Sequence, residues 1–391
     1  MPDSIVIIGA GQAGVTAAVT LRERGWEGEI HLIGEESAAP YQRPPLSKGY
    51  LSGAESSDDL LLRAGHLFER DQIQLRTGVS VRRVDREART VELSGGEVLA
   101  YDALIFATGS APRALTLPGA ELDGVHVIRT VQDADSLRQS LHRAGGSVFI
   151  GGGFLGLEVA AQAAKLGSVT VLELAPQILG RVLSRESASA ISAYLESLGI
   201  NIRCGVQLRE IEGDGGSVSA VVLGDGERIP ASSVVVSIGA VPRDELASEC
   251  GLEVNGGIVV DSGLRTSDER IFAIGDCAKY PSLFAGIDMR VESVQNATDQ
   301  ARYVASVMTG GDHGPRYSAV PWFWSHQGER KLQIAGIALP DDEARLVEHD
   351  TESGKLVVER LRGGDVVAVE TINAAGAHMK ARRLLAEMGA R

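Results

Sequence analysis

Apolar positions along this chain fall either into short unbroken runs or into patterns at helical spacing. Ile5 to Ile8 is a run of β-branched residues, the mark of a strand covered on both faces. It breaks into Gly9-Ala10-Gly11-Gln12-Ala13-Gly14, after which Val15, Ala18 and Leu21 recur at helical spacing up to about Gly25. A second run, Ile30 to Ile33, passes through Gly34 to Glu35. The same order returns in mid-chain. Ser147 to Ile150 is followed by Gly151, Gly153 and Gly156 at the same spacing. A helix is predicted from about Phe154 to Leu166, and Val169 to Leu172 then ends at Glu173. Strand, glycine turn, helix, strand and acid therefore occur twice, and an internal repeat of this kind sets the architecture.

The segments between carry their own signals. Ala39 to Lys48 contains the adjacent Pro44 and Pro45, which deny helix and sheet interior; a rigid loop holding Arg43 and Lys48 is expected. Residues 59–100 read as a helix followed by short strands. Tyr101 to Gly109 is a buried strand ending in small residues, and Pro112 and Pro118 follow in a crossover. Ser233 to Gly239 is its counterpart after the second copy. Ile271 to Asp276 is a further strand ending in glycine and an acid suited to a ribityl hydroxyl. A helix is expected from about Gln295 to Met308. From Tyr317 the composition changes: Pro321-Trp322-Phe323-Trp324 holds two of the three tryptophans, strands alternate, and His378 to Arg383 is a short basic segment. The expected fold is α/β, with two Rossmann-like dinucleotide-binding domains and a small α/β C-terminal domain.

Each glycine has a physical reason. Gly9 allows the tight turn, Gly11 lets backbone approach a pyrophosphate, and Gly14 lets the helix lie close to the sheet. The helix start then offers free N–H groups and a positive dipole end to phosphate. Glu35 stands 21 positions after Gly14 and can accept bonds from ribose hydroxyls. Two such sites in one chain point to two dinucleotides, between which a hydride passes if one is a flavin and the other a nicotinamide. Glu173 suits a free 2′-hydroxyl and repels a 2′-phosphate, and Leu174, Ala175 and Pro176 offer no cation. NADH is therefore expected over NADPH, although Arg181 lies within reach of the adenosine. Glu158, in the first turn of the second helix, either complements the helix dipole or acts near the nicotinamide.

With 391 residues, 44% hydrophobic and 23% charged, the chain can build two or three globular domains. A net charge of −14 opposes nucleic-acid binding. The three cysteines, Cys204, Cys250 and Cys277, form no C-x-x-C, so neither a disulfide framework nor a zinc site is implied. The first apolar run has no basic region before it, so Met1 to Ile8 reads as a strand rather than a signal peptide. No apolar run reaches a membrane-span length. A cytoplasmic location is expected.

The motifs IVIIGAGQAG, PYQRPPLSK, LIFATGSAPR, GGGFLGLEVA, TSDERIFAIGDCA, VESVQNATDQA and VPWFWSHQ, in this order, resemble the FAD-dependent NADH:ferredoxin reductases of oxygenase systems, the putidaredoxin reductase and rubredoxin reductase family. The resemblance spans nearly the whole chain. It implies a glutathione-reductase-like fold with an FAD-binding domain in two segments (1–112 and 241–317), an NAD-binding domain (113–240) and a C-terminal domain (318–391). By resemblance, Gly9, Gly11, Ala13, Gly14, Glu35, Arg43, Lys48, Val81, Thr108, Gly109, Arg129, Asp276, Val294 and Trp322 serve FAD. Gly151, Gly153, Gly156, Glu158, Glu173, Arg181 and Gly239 serve NADH. Lys48 is expected near the flavin ring, paired with Glu158, and Trp322 beside the isoalloxazine or simply in the core. The implied partner is an iron–sulfur ferredoxin feeding a cytochrome P450 or a ring-hydroxylating oxygenase. The protein is expected to be a monomer.

The chain departs from the family at Arg243, where asparagine is usual, and at His326, where aspartate is usual; it also ends about a helix short of many relatives. Because −14 opposes an acidic ferredoxin, a local positive patch is expected from Arg302, Arg330, Lys331, Lys380, Arg382 and Arg383. Alternatives are an NADH oxidase or disulfide reductase, opposed by the absence of cysteine from the PPLSK loop, and a non-enzymatic flavoprotein switch resembling apoptosis-inducing factor.

Overall fold

A computed structural model describes residues 3–143, 145–312 and 314–389; residues 1 and 2 of the first expected strand lie outside it. The first sheet has five strands in the order Ile271–Ala273, Ala103–Phe106, Ser4–Ile8, Glu29–Ile33, Ile73–Arg76, all neighbours parallel. Ile5, Val6, Ile7, Leu104 and Ile105 are fully buried. That is why these strands read as unbroken apolar runs: a parallel sheet is covered on both faces. Helix Gln12–Glu23 buries Ala13, Val15, Ala17, Ala18 and Leu21 and packs against helix Val294–Met308.

The second sheet repeats the plan in the order Ile200–Cys204, Val169–Glu173, Ser147–Ile150, Ser233–Val236, Val125–His126, again parallel. Each copy carries a three-stranded antiparallel sheet: Val81–Asp85, Thr90–Leu93 and Val98–Ala100 in the first, Leu208–Asp214, Ser217–Leu223 and Arg228–Pro230 in the second. The repeat thus extends beyond the glycine motif. The chain leaves the first unit along Ser110–Pro112 and returns along Ala240–Pro242, and these two strands pair antiparallel.

Three sequence expectations need adjustment. The helix after the second glycine turn is Phe154–Ala163, shorter than expected, because residues 165–167 close it with bonds to the carbonyls of Gln162 and Ala163. The proline loop contains a 3-10 turn, Pro44–Ser47; proline fits the first positions of a helix, where its missing N–H has no partner to lose. The C-terminal unit is a five-stranded antiparallel sheet ordered Trp322–Gln327, Arg330–Gly336, Asp365–Ile372, Lys355–Arg362, Glu343–Asp350. The supposed basic segment is part of its closing helix, Ala375–Gly389. One sheet face meets this helix through Ala335, Val357, Val369, Ala381 and Leu385. The other joins the core of the second unit through Leu332, Ile334, Val358 and Ile372. Among the described residues no helix is long and apolar enough to cross a membrane.

Candidate functional site

Gly9 leaves its strand with φ +113°, and a Cβ there would lie 2.1 Å from the carbonyl oxygen of Ala107. A Cβ on Gly14 would lie 1.9 Å from the Gly9 carbonyl oxygen. These two glycines are required by the protein itself. Gly11 is different, since no protein atom comes within 4 Å of the Cβ it lacks. The second turn repeats the division. Cβ atoms on Gly151 and Gly156 would meet Ser237 at 2.3 and 2.9 Å, whereas the nearest atom to Gly153 lies at 3.9 Å. Helices Gln12–Glu23 and Phe154–Ala163 both start from an extended glycine with no side-chain cap. Free N–H groups and the positive dipole end therefore face the open space beside Gly11 and Gly153. Both turns fit a pyrophosphate.

The acids that follow are held differently. Glu173 Oε2 accepts from the Gly152 N–H at 2.6 Å and Oε1 from the Ala175 N–H at 2.8 Å, so its carboxylate stands over the second turn. Arg181 lies 3.7 Å from the Cβ that Gly239 lacks. Glu35 is ion-paired with Arg243. Arg243 is fixed by the Gly109 carbonyl, which accepts its N–H at 3.0 Å, and by Thr108 Oγ1, which donates to its carbonyl at 2.5 Å. The departure from asparagine at 243 thus reaches the first acid.

A chain of contacts runs beside the first turn. Gly275 places its backbone against Ala13, with 3.2 Å between the Cβ atoms if glycine had one. The adjacent Asp276 accepts from Ser110 Oγ at 3.0 Å and lies 3.6 Å from the Arg129 guanidinium. Burial lowers the Arg129 pKa, and Asp276 opposes that shift. Arg43 donates to the Arg129 carbonyl at 2.5 Å and pairs with Glu36 at 2.5 Å. Tyr41 donates to Glu36 at 2.5 Å, and burial pushes its hydroxyl up to about 12. Val294 opens its helix and Val81 is a buried strand residue.

The two units meet at Glu158, which is 6% exposed. Lys48 Nζ donates to its Oε2 at 2.6 Å, and Ser47 Oγ donates to the same oxygen at 2.6 Å. Ser325 Oγ donates to Oε1 at 2.5 Å and the His326 N–H at 3.0 Å. Three segments far apart in sequence therefore converge on one carboxylate: the PPLSK loop, the second glycine helix and the first C-terminal strand. The His326 imidazole is held below its usual pKa by burial and by Lys48, with Glu158 opposing.

Trp322 is half-buried, and its indole lies against Trp324 and His378 with ring centroids 5.5 Å apart, beneath the Arg382 guanidinium at 4.3 Å. Its neighbour Phe323 packs on Phe154 at 4.7 Å. Alternation along a strand explains this: Phe323 and Ser325 face the second unit, Trp322 and Trp324 the closing helix. His378 is 1% exposed and neither ring nitrogen has a partner. Burial, then Arg382 and Lys331, lower its pKa to about 4. Between pH 6.5 and about 4 the unfolded chain takes a proton that the folded chain refuses, so this group makes stability fall as pH drops through that window. His378→Leu is expected to flatten the fall in melting temperature between pH 6.5 and 4.5, as read by circular dichroism; an unchanged slope counts against it.

Residues 3–301 match the model of the pyridine nucleotide-disulphide oxidoreductase family, and residues 322–390 match that of the reductase C-terminal domain. The chain belongs to this family. It is 45% identical to the rhodocoxin reductase of Rhodococcus erythropolis over 98% of its own length and 89% of that protein. Among solved structures, a ferredoxin reductase for the CYP199A2 system from Rhodopseudomonas palustris aligns with a TM-score of 0.93 at 41% identity, covering 96% of this chain and 93% of that one. The covalent putidaredoxin reductase–putidaredoxin complex aligns with a TM-score of 0.94 at 37% identity, covering 98% and 93%.

The expected pairing of Lys48 with Glu158 is present; the part taken by Ser47, Ser325 and the His326 N–H was not expected, since hydroxyls and backbone donors carry no local signature of a distant acceptor. The expected positive patch divides. Arg302, Arg382 and Arg383 line one cleft of about 500 Å³, joined by Arg316, which sequence reasoning did not include. Arg330 is not part of that cleft: it stacks on Tyr194 at 4.7 Å and donates to the Ser353 carbonyl. Lys331 and Lys380 do not line the cleft either.

Proposed function

We propose that this chain is an FAD-containing reductase that takes a hydride from NADH and passes electrons to an iron–sulfur ferredoxin serving a cytochrome P450 or a ring-hydroxylating oxygenase. The convergence on Glu158 carries the proposal, because it joins a lysine of the first nucleotide unit to the helix of the second. FAD, when bound, supplies a centre that accepts an electron pair and releases electrons singly. We assign FAD to residues 1–112 and 241–317, NADH to 113–240, and the acceptor-facing domain to 318–391. In this reading Lys48 sets a fixed positive charge where negative charge develops on the reduced ring, and Glu158 with its hydroxyl donors keeps that ammonium in place. Glu173 receives the adenosine ribose and favours NADH. The cytoplasm is the proposed location, in keeping with three unpaired thiols.

A disulfide-reducing role lacks its chemistry here. Cys277 is fully buried and bonded to the Ile274 carbonyl at 3.3 Å, and burial raises its pKa. Lys48 is flanked by Ser47 and Gly49, and the three cysteines are all free. The test is anaerobic: NADH should bleach the yellow holoprotein, and a ferredoxin should then carry electrons to cytochrome c. A colourless protein that cannot be reconstituted with FAD would refute the reading.

The cleft between helices Val294–Met308 and Ala375–Gly389 suits an acidic ferredoxin. Four arginines line it against Asp299, in a chain of net charge −14. Burial raises the Asp299 pKa, with Gln295, Arg302 and Arg382 opposing. Reversing Arg302, Arg316 and Arg383 to glutamate is expected to lower ferredoxin turnover at low salt about tenfold or more and to leave NADH–ferricyanide activity within about twofold. Arg330→Glu, outside the cleft, should change neither. Equal losses with both acceptors would count against docking there.

A further inference from the structure

Glu370 lies in strand Asp365–Ile372, fully buried, yet most of its bonds leave its own sheet. Oε1 accepts from Arg360 Nη1 at 2.9 Å and from the Ser184 N–H at 2.9 Å. Oε2 accepts from Ser184 Oγ at 2.6 Å and from the same N–H at 3.1 Å. Arg360 is 6% exposed and donates onward to the Asp342 carbonyl at 3.0 Å. A buried ion pair is a weak device for stability alone, since well-packed apolar residues hold a sheet as well. This one extends into another unit. Ser184 caps helix Arg185–Ser197, accepting from the Ser187 N–H at 3.2 Å.

The segment that ends at Ser184 begins just after Glu173. At its centre Leu179 adopts φ +56°, a conformation that costs a non-glycine residue energy and persists only when its surroundings enforce it. Its N–H donates to the Gly152 carbonyl at 2.9 Å, inside the second glycine turn. Ile178 lies so close that a Cβ on Gly152 would meet its Cγ2 at 2.7 Å. Arg181, two residues on, stands over Gly239. The segment 174–184 therefore leans on the glycine turn at its centre and is fastened at its far end to the C-terminal sheet.

We propose that Glu370 is a positioning residue for NADH: by gripping Ser184 it sets the 174–184 segment as a wall of the second nucleotide site. The C-terminal unit thus takes part in binding the electron donor as well as in facing the acceptor. The inference rests on the assignment of the second turn to NADH.

Three FAD-loaded variants test it: Ser184→Ala, Glu370→Gln, and the double change Arg360→Met with Glu370→Leu, which replaces the buried pair by apolar volume and keeps the sheet filled. Each should raise the KM for NADH and the Kd for NAD⁺ about five- to tenfold. The kcat at saturating NADH should stay within about twofold, with FAD content and flavin spectrum unchanged. A merely structural role would move melting temperature and FAD content instead. Glu173→Ala serves as the control for the site. If Glu173→Ala weakens NADH binding while Ser184→Ala and the double variant bind like the parent protein, the anchor is wrong. If Glu173→Ala also leaves binding unmoved, the site assignment fails and the inference falls with it.

Discussion

Lys48→Met should slow the anaerobic bleaching of the flavin by NADH about a hundredfold, the usual cost of removing one preorganised charge from a transition state. The structure separates this effect from damage to the fold. Without the ammonium, Glu158 still accepts from Ser47 Oγ, Ser325 Oγ and the His326 N–H. The junction of the three segments therefore stays closed and FAD stays bound. Glu158→Ala is the harsher change, since it leaves the Ser325 hydroxyl and the His326 N–H without their acceptor in a buried site and Ser47 and Lys48 with the Pro44 carbonyl in place of a carboxylate. It should lower both the bleaching rate and the melting temperature. Stopped-flow absorbance of the holoprotein measures the rates, and a Lys48→Met protein as fast as the parent would exclude the lysine from hydride transfer.

The second large effect concerns the glycine turns. Gly11→Ala and Gly14→Ala should both abolish tight FAD binding, for opposite reasons. At Gly14 the new Cβ would overlap the Gly9 carbonyl oxygen, so the helix cannot sit on its sheet and the flavin-free protein itself should melt earlier. At Gly11 the new methyl meets no protein atom within 4 Å, so the flavin-free protein should melt like the parent. Its affinity for FAD should nonetheless fall about a hundredfold, because the methyl occupies the path of the pyrophosphate. Gly153→Ala should act likewise on NADH alone, in a protein that remains yellow. Calorimetry and FAD titration distinguish the cases; loss of stability in Gly11→Ala would show that its open side is not a ligand site.

The fold was largely legible in the sequence because its two parallel sheets are buried on both faces. Ile5 to Ile8 and Ser233 to Val236 read as strands for that reason, and the glycine spacings announce turns whose steric demands are local. The places of Glu35 and Glu173 were legible as well, since each stands at or just past the end of the strand that follows its glycine turn and helix. The antiparallel order of the C-terminal sheet was not, because strand pairing is chosen between segments dozens of residues apart. The face of Trp322 is likewise set by the register of its strand with Arg330–Gly336. The basic residues after His378 read as one segment, yet the folded helix turns Arg382 and Arg383 to the cleft, Arg382 lying over Trp322 as well, and keeps Lys380 out of it.

By itself, then, the sequence determined two nucleotide folds, the acids that follow them, and the lysine and glutamate that the fold pairs. Tertiary structure alone decided that Ser47 and Ser325 complete the Glu158 junction, that Arg316 joins Arg302 in one cleft, and that Glu370 holds Ser184 across two units. The reason is physical. A periodic pattern or a glycine turn reports the demands of its own backbone. A hydrogen bond between residues 186 positions apart depends on how separately folded surfaces meet, and no local pattern records that.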